Sequence, residues 1–310
     1  MSDKPASTPA GGPRRVLCLG AAVLDTIFRV ETIPTTPTKV LPLDCVQIGS
    51  GMASSAAAAV ARLGGQSCIW ARVGDDLAGQ QYLADLGAAG VDVSQVRRVP
   101  HRRTPVSTIL VDKQGQRLVV PFYDPALDQD PGWLPIDDVA RFHAVMVDVR
   151  WPAGSERLLG AARAAQVIGV LDGDIATPGI VERLAPLASH VVFSEPALGA
   201  YAGEADIAVA LRAAAKRTSG LVGVTAGERG FFWFDGARVN HAPAPQVAAV
   251  DTLAAGDVFH GAFALGLAEG MDVAKAGRFA CVAASIKCTR FGGRLGAPTR
   301  EEVAAFGRPG

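Results

Sequence analysis

An excess of either charge is what this 310-residue sequence most plainly lacks: Lys and Arg number 30, Asp and Glu number 30. A chain with no net charge has none of the long-range attraction by which nucleic-acid and anionic-membrane binders gather their partners, so neither partner is expected. Cysteine is sparse too. The five residues Cys18, Cys45, Cys68, Cys281 and Cys288 are odd in number and form no Cys-x-x-Cys or Cys/His cluster, so neither a disulfide framework nor a zinc site is supported. No apolar run approaches the roughly 20 residues of a membrane-spanning helix. The opening MSDKPASTPAGGPRR has no apolar stretch of the kind a signal peptide needs; residues 1–14 read as a disordered tail, and the cytoplasm is the expected compartment. There is no internal repeat and no block of like charge.

What is present is apolar residues, at 49%, against 19% charged, enough for a sizeable core. Short uninterrupted apolar runs recur at residues 16–19, 68–73, 144–149, 167–171, 191–193 and 221–224. Between most of them lie Ala-rich stretches with helical spacing, such as 54–63 and 155–165. Strands buried on both faces and alternating with helices predict a doubly wound α/β fold, its sheet mostly parallel with helices on both faces. Ligands of such sheets collect beyond the carboxyl ends of the strands. Two stretches break the rhythm: one carries Pro34, Pro37 and Pro42, the other has a hairpin signal around Lys113-Gln-Gly-Gln. They predict a small β-sheet lid from residues 26–45 and 96–123, leaving 15–25, 46–95 and 124–310 as the ligand-binding α/β core.

The densest chemical signal is Asp251-Thr-Leu-Ala-Ala-Gly-Asp-Val-Phe-His-Gly-Ala. Small residues at Ala254, Ala255 and Gly256 run into an apolar helix over 258–267. Such a loop lets backbone N–H groups at a helix N-terminus approach an anion, which the helix dipole also favours. Asp257 stands in that first turn. A carboxylate beside an anion hole makes sense if it takes a proton from an attacking hydroxyl.

The segment DTLAAGDVFHGAF resembles the signature of the ribokinase-like (pfkB) carbohydrate kinases. LGAAVLDTI resembles the family's first strand with its sugar-binding aspartate, here Asp25; GSGMASSAAAAVARLG its N-terminal glycine motif; and VTAGERG its nucleotide-side loop. The resemblance implies an ATP- and Mg2+-dependent sugar kinase with the ribokinase-like fold. Backbone N–H groups of Ala254, Ala255, Gly256 and Asp257 would form the anion hole, and Asp257 would be the catalytic base. Thr225, Gly227, Gly230 and Gly256 would line the nucleotide pocket. Asp25, Gly49, Gly51, Ser54 and Asp257 would meet the sugar. There are departures from the family pattern. Ser50 replaces the second glycine, Ser54 the usual asparagine, and the Asn-x-x-Glu motif near magnesium is missing, which leaves Asp172 and Glu195 as metal candidates.

Arg150, directly after the apolar run 144–149, would face the ligand crevice with a fork suited to an oxyanion; Lys39, in the lid, is a second candidate cation. Arg290 and Arg294 add cations expected near the nucleotide end. VDVRWPAG, VLDGDI and FSEPAL resemble the sulfofructose kinase branch, in which a lysine and an arginine hold the sulfonate. Pro121 stands where that branch has a polar asparagine. The expected reaction is γ-phosphate transfer from ATP to a primary hydroxyl of an anionic ketose such as sulfofructose. A neutral ketose or ketodeoxygluconate is the alternative, and a dinucleotide-binding oxidoreductase or a silent sugar-binding module a remote one. The lid could also pair two copies into a homodimer.

Overall fold

The computed structural model describes residues 12–127 and 129–306. Residues 1–11 of the expected tail lie outside the described residues. Arg14, expected to end that tail, is tied to the fold: its carbonyl accepts a hydrogen bond from Gln66 N at 2.8 Å.

Fourteen strands form two sheets among the described residues. In chain order they are β1 (Arg15–Leu19), β2 (Val23–Arg29), β3 (Asp44–Ser50), β4 (Gln66–Gly74), β5 (Val91–Asp92), β6 (Val96–Val99) and β7 (Val106–Val111). They continue as β8 (Arg117–Phe122), β9 (Ala144–Val147), β10 (Ile168–Gly173), β11 (His190–Ser194), β12 (Leu221–Thr225), β13 (Phe231–Phe234) and β14 (Val239–Ala242). The main sheet has the order β14-β13-β12-β11-β10-β9-β1-β4-β5, and β6 also pairs with β4. It is parallel from β12 to β5, with β13 and β14 an antiparallel hairpin at one edge.

Both faces of this sheet are covered, as the uninterrupted apolar strands require. Along β1, Val16 and Cys18 enter one core and Leu17 and Leu19 the other, all fully buried. The first core is closed by helices α1 (Met52–Arg62), α7 (Ala255–Ala268) and α8 (Val273–Cys288). The second is closed by α3 (Pro152–Ala164), α5 (Glu195–Ala202) and α6 (Ile207–Ala215); α2 (Leu77–Ala88), α4 (Ile180–Leu184) and α9 (Arg300–Ala305) complete the set. The first two closing helices approach closely. A Cβ at Gly261 of α7 would lie 2.4 Å from the Ala56 carbonyl oxygen of α1, so glycine alone fits there.

The second sheet is the lid, in the order β3-β2-β7-β8. Its hairpin turns where expected, with Asp112 Oδ1 accepting from Gln114 N at 3.0 Å and Gln116 N at 2.9 Å. Its boundaries differ from those expected. The lid strands begin at Val23 and run to Ser50, so Asp25, Gly49 and Ser50 belong to the lid. Val96–Val99, expected in the lid, pairs parallel with Ala71–Gly74 instead. The reason is geometric: β4 is nine residues long and β5 covers only Ser67 and Cys68, so the far half of β4 has an open edge to fill.

Candidate active site

Beyond the carboxyl ends of the parallel strands, the chain builds a crevice between the main sheet and the lid. Its base is organised by Asp148, which directly follows β9 and is fully buried. Its carboxylate accepts from Ala21 N at 2.8 Å, Ala53 N at 3.0 Å and Arg150 N at 2.8 Å, tying together the turn after β1, the start of α1 and the end of β9. Asp148 is not among the residues expected from sequence, although an acid immediately after a buried strand was the available signal.

On the lid side, Asp25 is buried and accepts from Ser107 Oγ at 2.5 Å. Burial raises its pKa; hydrogen bonds from Ser107 and Ser50 and the charge of Arg294 oppose this. The glycine turn beside it is clamped, with Gly49 N donating to Asp85 Oδ2 at 2.6 Å and Arg294 bonded to both the Gly49 carbonyl and Asp85. Arg294, expected near the nucleotide end, therefore stands at the Gly49 turn. Arg290 pairs with Glu302 at 2.5 Å. Gly51 has φ of +112° and sits against the Ala21 carbonyl, which no Cβ would allow. Ser54 is fully enclosed: its hydroxyl donates to Ala21 O at 2.7 Å and accepts from the Tyr82 hydroxyl at 2.7 Å. Bonded to the turn after β1 and to α2, it braces α1 and presents no exposed atom to the crevice.

The loop Asp251–Asp257 ends at α7, whose N-cap Ala254 has φ of +62°. A left-handed alanine costs about 1–2 kcal/mol and persists only where its surroundings impose it. Of the expected anion-hole amides, Ala255 N donates to Thr252 O at 3.2 Å, whereas Gly256 and Asp257 lie in the first turn, where helix geometry supplies no acceptor. Asp257 has its carboxyl pushed up to about 8, first by burial and then by the neighbouring charge of Asp172, with His260 opposing. Asp172, at the end of β10, is itself buried, and desolvation followed by the charges of Asp174 and Asp148 lifts it well above the carboxylate range. Beneath them His260 Nδ1 lies 2.7 Å from Gly256 O and 3.4 Å from Asp172 Oδ2, and Nε2 lies 3.1 Å from Val192 O.

On the other side of the loop is a cleft of about 440 Å³, lined by Thr225, Gly227, Gly230, Ala255, Gly256 and Phe259 among others. Thus the four residues expected at a nucleotide are brought to one cleft that also reaches the start of α7. Glu195 is drawn away from the acids: it pairs with Arg229 at 2.5 Å. Among the described residues, no group of three His, Cys, Asp or Glu side chains could hold a metal ion. The described residues therefore offer no cage of their own.

Arg150 reaches over the crevice but is engaged, with Nη1 donating to Ile175 O at 2.9 Å and Nη2 to Asp174 Oδ2 at 3.0 Å. Lys39 is exposed in the loop between β2 and β3. Tyr123, just after β8, was not anticipated; it is 47% exposed, yet partial desolvation raises its pKa, and Arg150, Asp148, Asp25 and Asp257 all act on it electrostatically, which sets it near the crevice residues.

Gly20 is followed by strand β2 and no helix begins there, so the dinucleotide-binding alternative loses the helix N-terminus it needs. Comparison with known proteins agrees. The chain is similar to ribokinase of Bacillus subtilis (27% identity over 94% of this chain and 98% of that one). It is similar also to the ATP-dependent ribose-1-phosphate kinase of Halopiger xanaduensis (30% identity; 94% and 97%). A crystal structure of a candidate ribokinase from Agrobacterium tumefaciens superposes with a TM-score of 0.92 at 48% identity, covering 94% of this chain and 97% of that one. The fold is ribokinase-like, no helix among the described residues is long and apolar enough to cross a membrane, and the model of the pfkB carbohydrate kinases matches residues 13–300. This chain belongs to the pfkB family of carbohydrate kinases, a family of phosphotransferases.

Proposed function

We propose that this enzyme transfers the γ-phosphoryl group of ATP to a primary hydroxyl of a ketose bearing an anionic group, with sulfofructose the favoured substrate. The observation that carries this is the position of Asp257. It sits at the first turn of α7, next to the cleft that contains Thr225, Gly227 and Gly230, and within electrostatic reach of acids and Tyr123 on the crevice side. In this account ATP occupies the cleft, with its terminal phosphate at the Gly256 and Asp257 amides and the α7 dipole. Asp25 and the clamped Gly49–Gly51 turn hold sugar hydroxyls. Asp257, with a pKa near the operating pH, takes the proton of the attacking hydroxyl. The chemistry needs alignment and charge stabilisation more than covalent participation by the protein.

Magnesium fits this arrangement as an ion carried by the triphosphate, since such ions keep several waters and take only one or two protein carboxylates. Asp172, on the acidic side, is the residue we assign to help; the pairing of Glu195 with Arg229 counts against Glu195. When bound, the ion would neutralise charge on the phosphates.

The anionic group is assigned to Arg150 and Lys39. A sulfonate at Arg150 would have to displace Asp174, and that pairing favours the second reading, a kinase of a neutral ketose. An ATP-consumption screen over sulfofructose, fructose, fructose phosphates and ketodeoxygluconate separates them: preference for sulfofructose supports the first, and preference for fructose rejects it. The five unpaired cysteines support a reducing, cytoplasmic setting. A homodimer through the lid is supported by β8, all six of whose residues are exposed.

A further inference from the structure

Lys287 is the one lysine with no exposed surface among the described residues. It is the penultimate residue of α8, and it has no role in the mechanism above. Its Nζ donates to the Asp251 carbonyl at 2.5 Å and stands 3.5 Å from Asp251 Oδ2. Asp251 is buried as well, and its carboxylate is saturated with amides: Oδ1 accepts from Leu253 N at 2.7 Å, and Oδ2 from Gly292 N at 3.0 Å and Gly293 N at 2.9 Å. The adjoining backbone is tied to the same helix end, since Val250 N and Asp251 N both donate to Cys288 O, at 2.7 and 3.1 Å.

Burying an ammonium is costly unless its charge and donors are met. A lysine that served only to fill space there would be better replaced by an apolar side chain. Three residues beyond Asp251 comes Ala254, held left-handed at φ +62°, and the anion-hole amides follow it. A strained alanine stays in place only if the segment before it is over-determined. The arrangement supplies such a constraint: one cation grips both the carbonyl and the carboxylate of the residue that opens the loop.

Resting on the kinase assignment above, we propose that Lys287 is a positioning residue, a built-in cation that fixes the Asp251–Asp257 loop so that its amides and Asp257 meet the transferring phosphoryl group. It touches neither substrate nor nucleotide. Cys288 and Ser285, its neighbours on α8, line the nucleotide cleft, so the ammonium lies just behind that wall.

The test uses the full-length enzyme with Lys287→Met, which keeps the side-chain length without charge, and Lys287→Ala, which leaves room for a small cation. For both variants kcat should fall by about 10²-fold, the scale set by small misplacements of reacting groups, while nucleotide Kd changes by less than about 3-fold. Hydrogen exchange at residues 251–257 should quicken selectively. Added ammonium or methylammonium should restore part of the kcat of Lys287→Ala and leave the wild type unchanged, an effect that a merely space-filling lysine would not show. Should the single variants prove too unstable, Asp251→Asn combined with Lys287→Met removes both charges together; its kcat should remain low although the fold is retained. A folded Lys287→Met enzyme, or the folded double variant, with wild-type kcat and wild-type exchange in the loop would overturn the proposal. Absence of sugar kinase activity in the wild type would instead reject the substrate assignment, and the exchange measurement would still judge Lys287.

Discussion

Replacing Asp257 with asparagine keeps its shape and removes the charge, and it should move activity and stability in opposite directions. Folding raises this carboxyl from 3.8 to about 8, through burial first and the Asp172 charge second. At about 1.4 kcal/mol per pKa unit, a fully enclosed group would destabilise the fold by roughly 5–6 kcal/mol above pH 8. The Asp257 side chain is only part-buried and titrates together with Asp172, so the recoverable share should be about 1–3 kcal/mol. The sign follows from the raised pKa. Below about pH 4 the group is protonated whether folded or unfolded, and no penalty exists. The penalty grows as pH rises towards 8 and is constant beyond. Asp257→Asn should therefore melt on the order of 2–6 °C above the wild type near pH 8, with the gap closing near pH 4. Turnover should drop about 10²–10⁴-fold, as for a lost general base. Calorimetry at several pH values and a coupled ATP assay read both quantities. Unchanged melting at pH 8 together with turnover within a factor of about ten would refute the reasoning.

Three further outcomes are expected. Because the base must be unprotonated and its carboxyl is held near 8, kcat/KM should climb about tenfold per pH unit below that value and level off above it; a flat profile from about pH 6 to 9 would contradict this. Arg150→Ala should raise KM for an anionic ketose by roughly 10-fold or more and barely affect a neutral one, whereas equal losses on both would remove its assigned role. Val120→Lys, on the exposed strand β8, should shift a lid-mediated dimer to monomer in sedimentation, and an unchanged mass would place any interface elsewhere.

Most of the main sheet was legible because its strands are buried on both faces. Runs such as Val16-Leu17-Cys18-Leu19 can be nothing but interior strand when the next apolar run lies a helix away. The lid hairpin was legible from its Gly115 turn, and the start of α7 from its small residues. The hairpin β13–β14 carried an Asp235-Gly236 signal between apolar and mixed strands that went unused. What could not be read was pairing at a distance. Ser54 looks like a polar residue free to meet a ligand, but its partner Tyr82 comes from 28 residues away. Arg150 looks like an unpaired cation until Asp174 folds beside it. Lys287 sits in the run Cys281-Val-Ala-Ala-Ser-Ile-Lys-Cys as a lysine near a helix end, where solvent exposure is the ordinary expectation; only the return of the chain at Asp251 buries it. Periodicity reports which face of an element is covered, not which polar group does the covering.

The most direct test is a structure of the enzyme with its sugar and a non-hydrolysable ATP analogue bound together. The account predicts an Asp257 carboxylate oxygen within hydrogen-bond distance of a primary hydroxyl that is in line with the γ-phosphorus, and γ-phosphate oxygens at the Gly256 and Asp257 amides. A sugar hydroxyl lined up for transfer while Asp257 faces away from it, or a terminal phosphate bound elsewhere than at the start of α7, would contradict it.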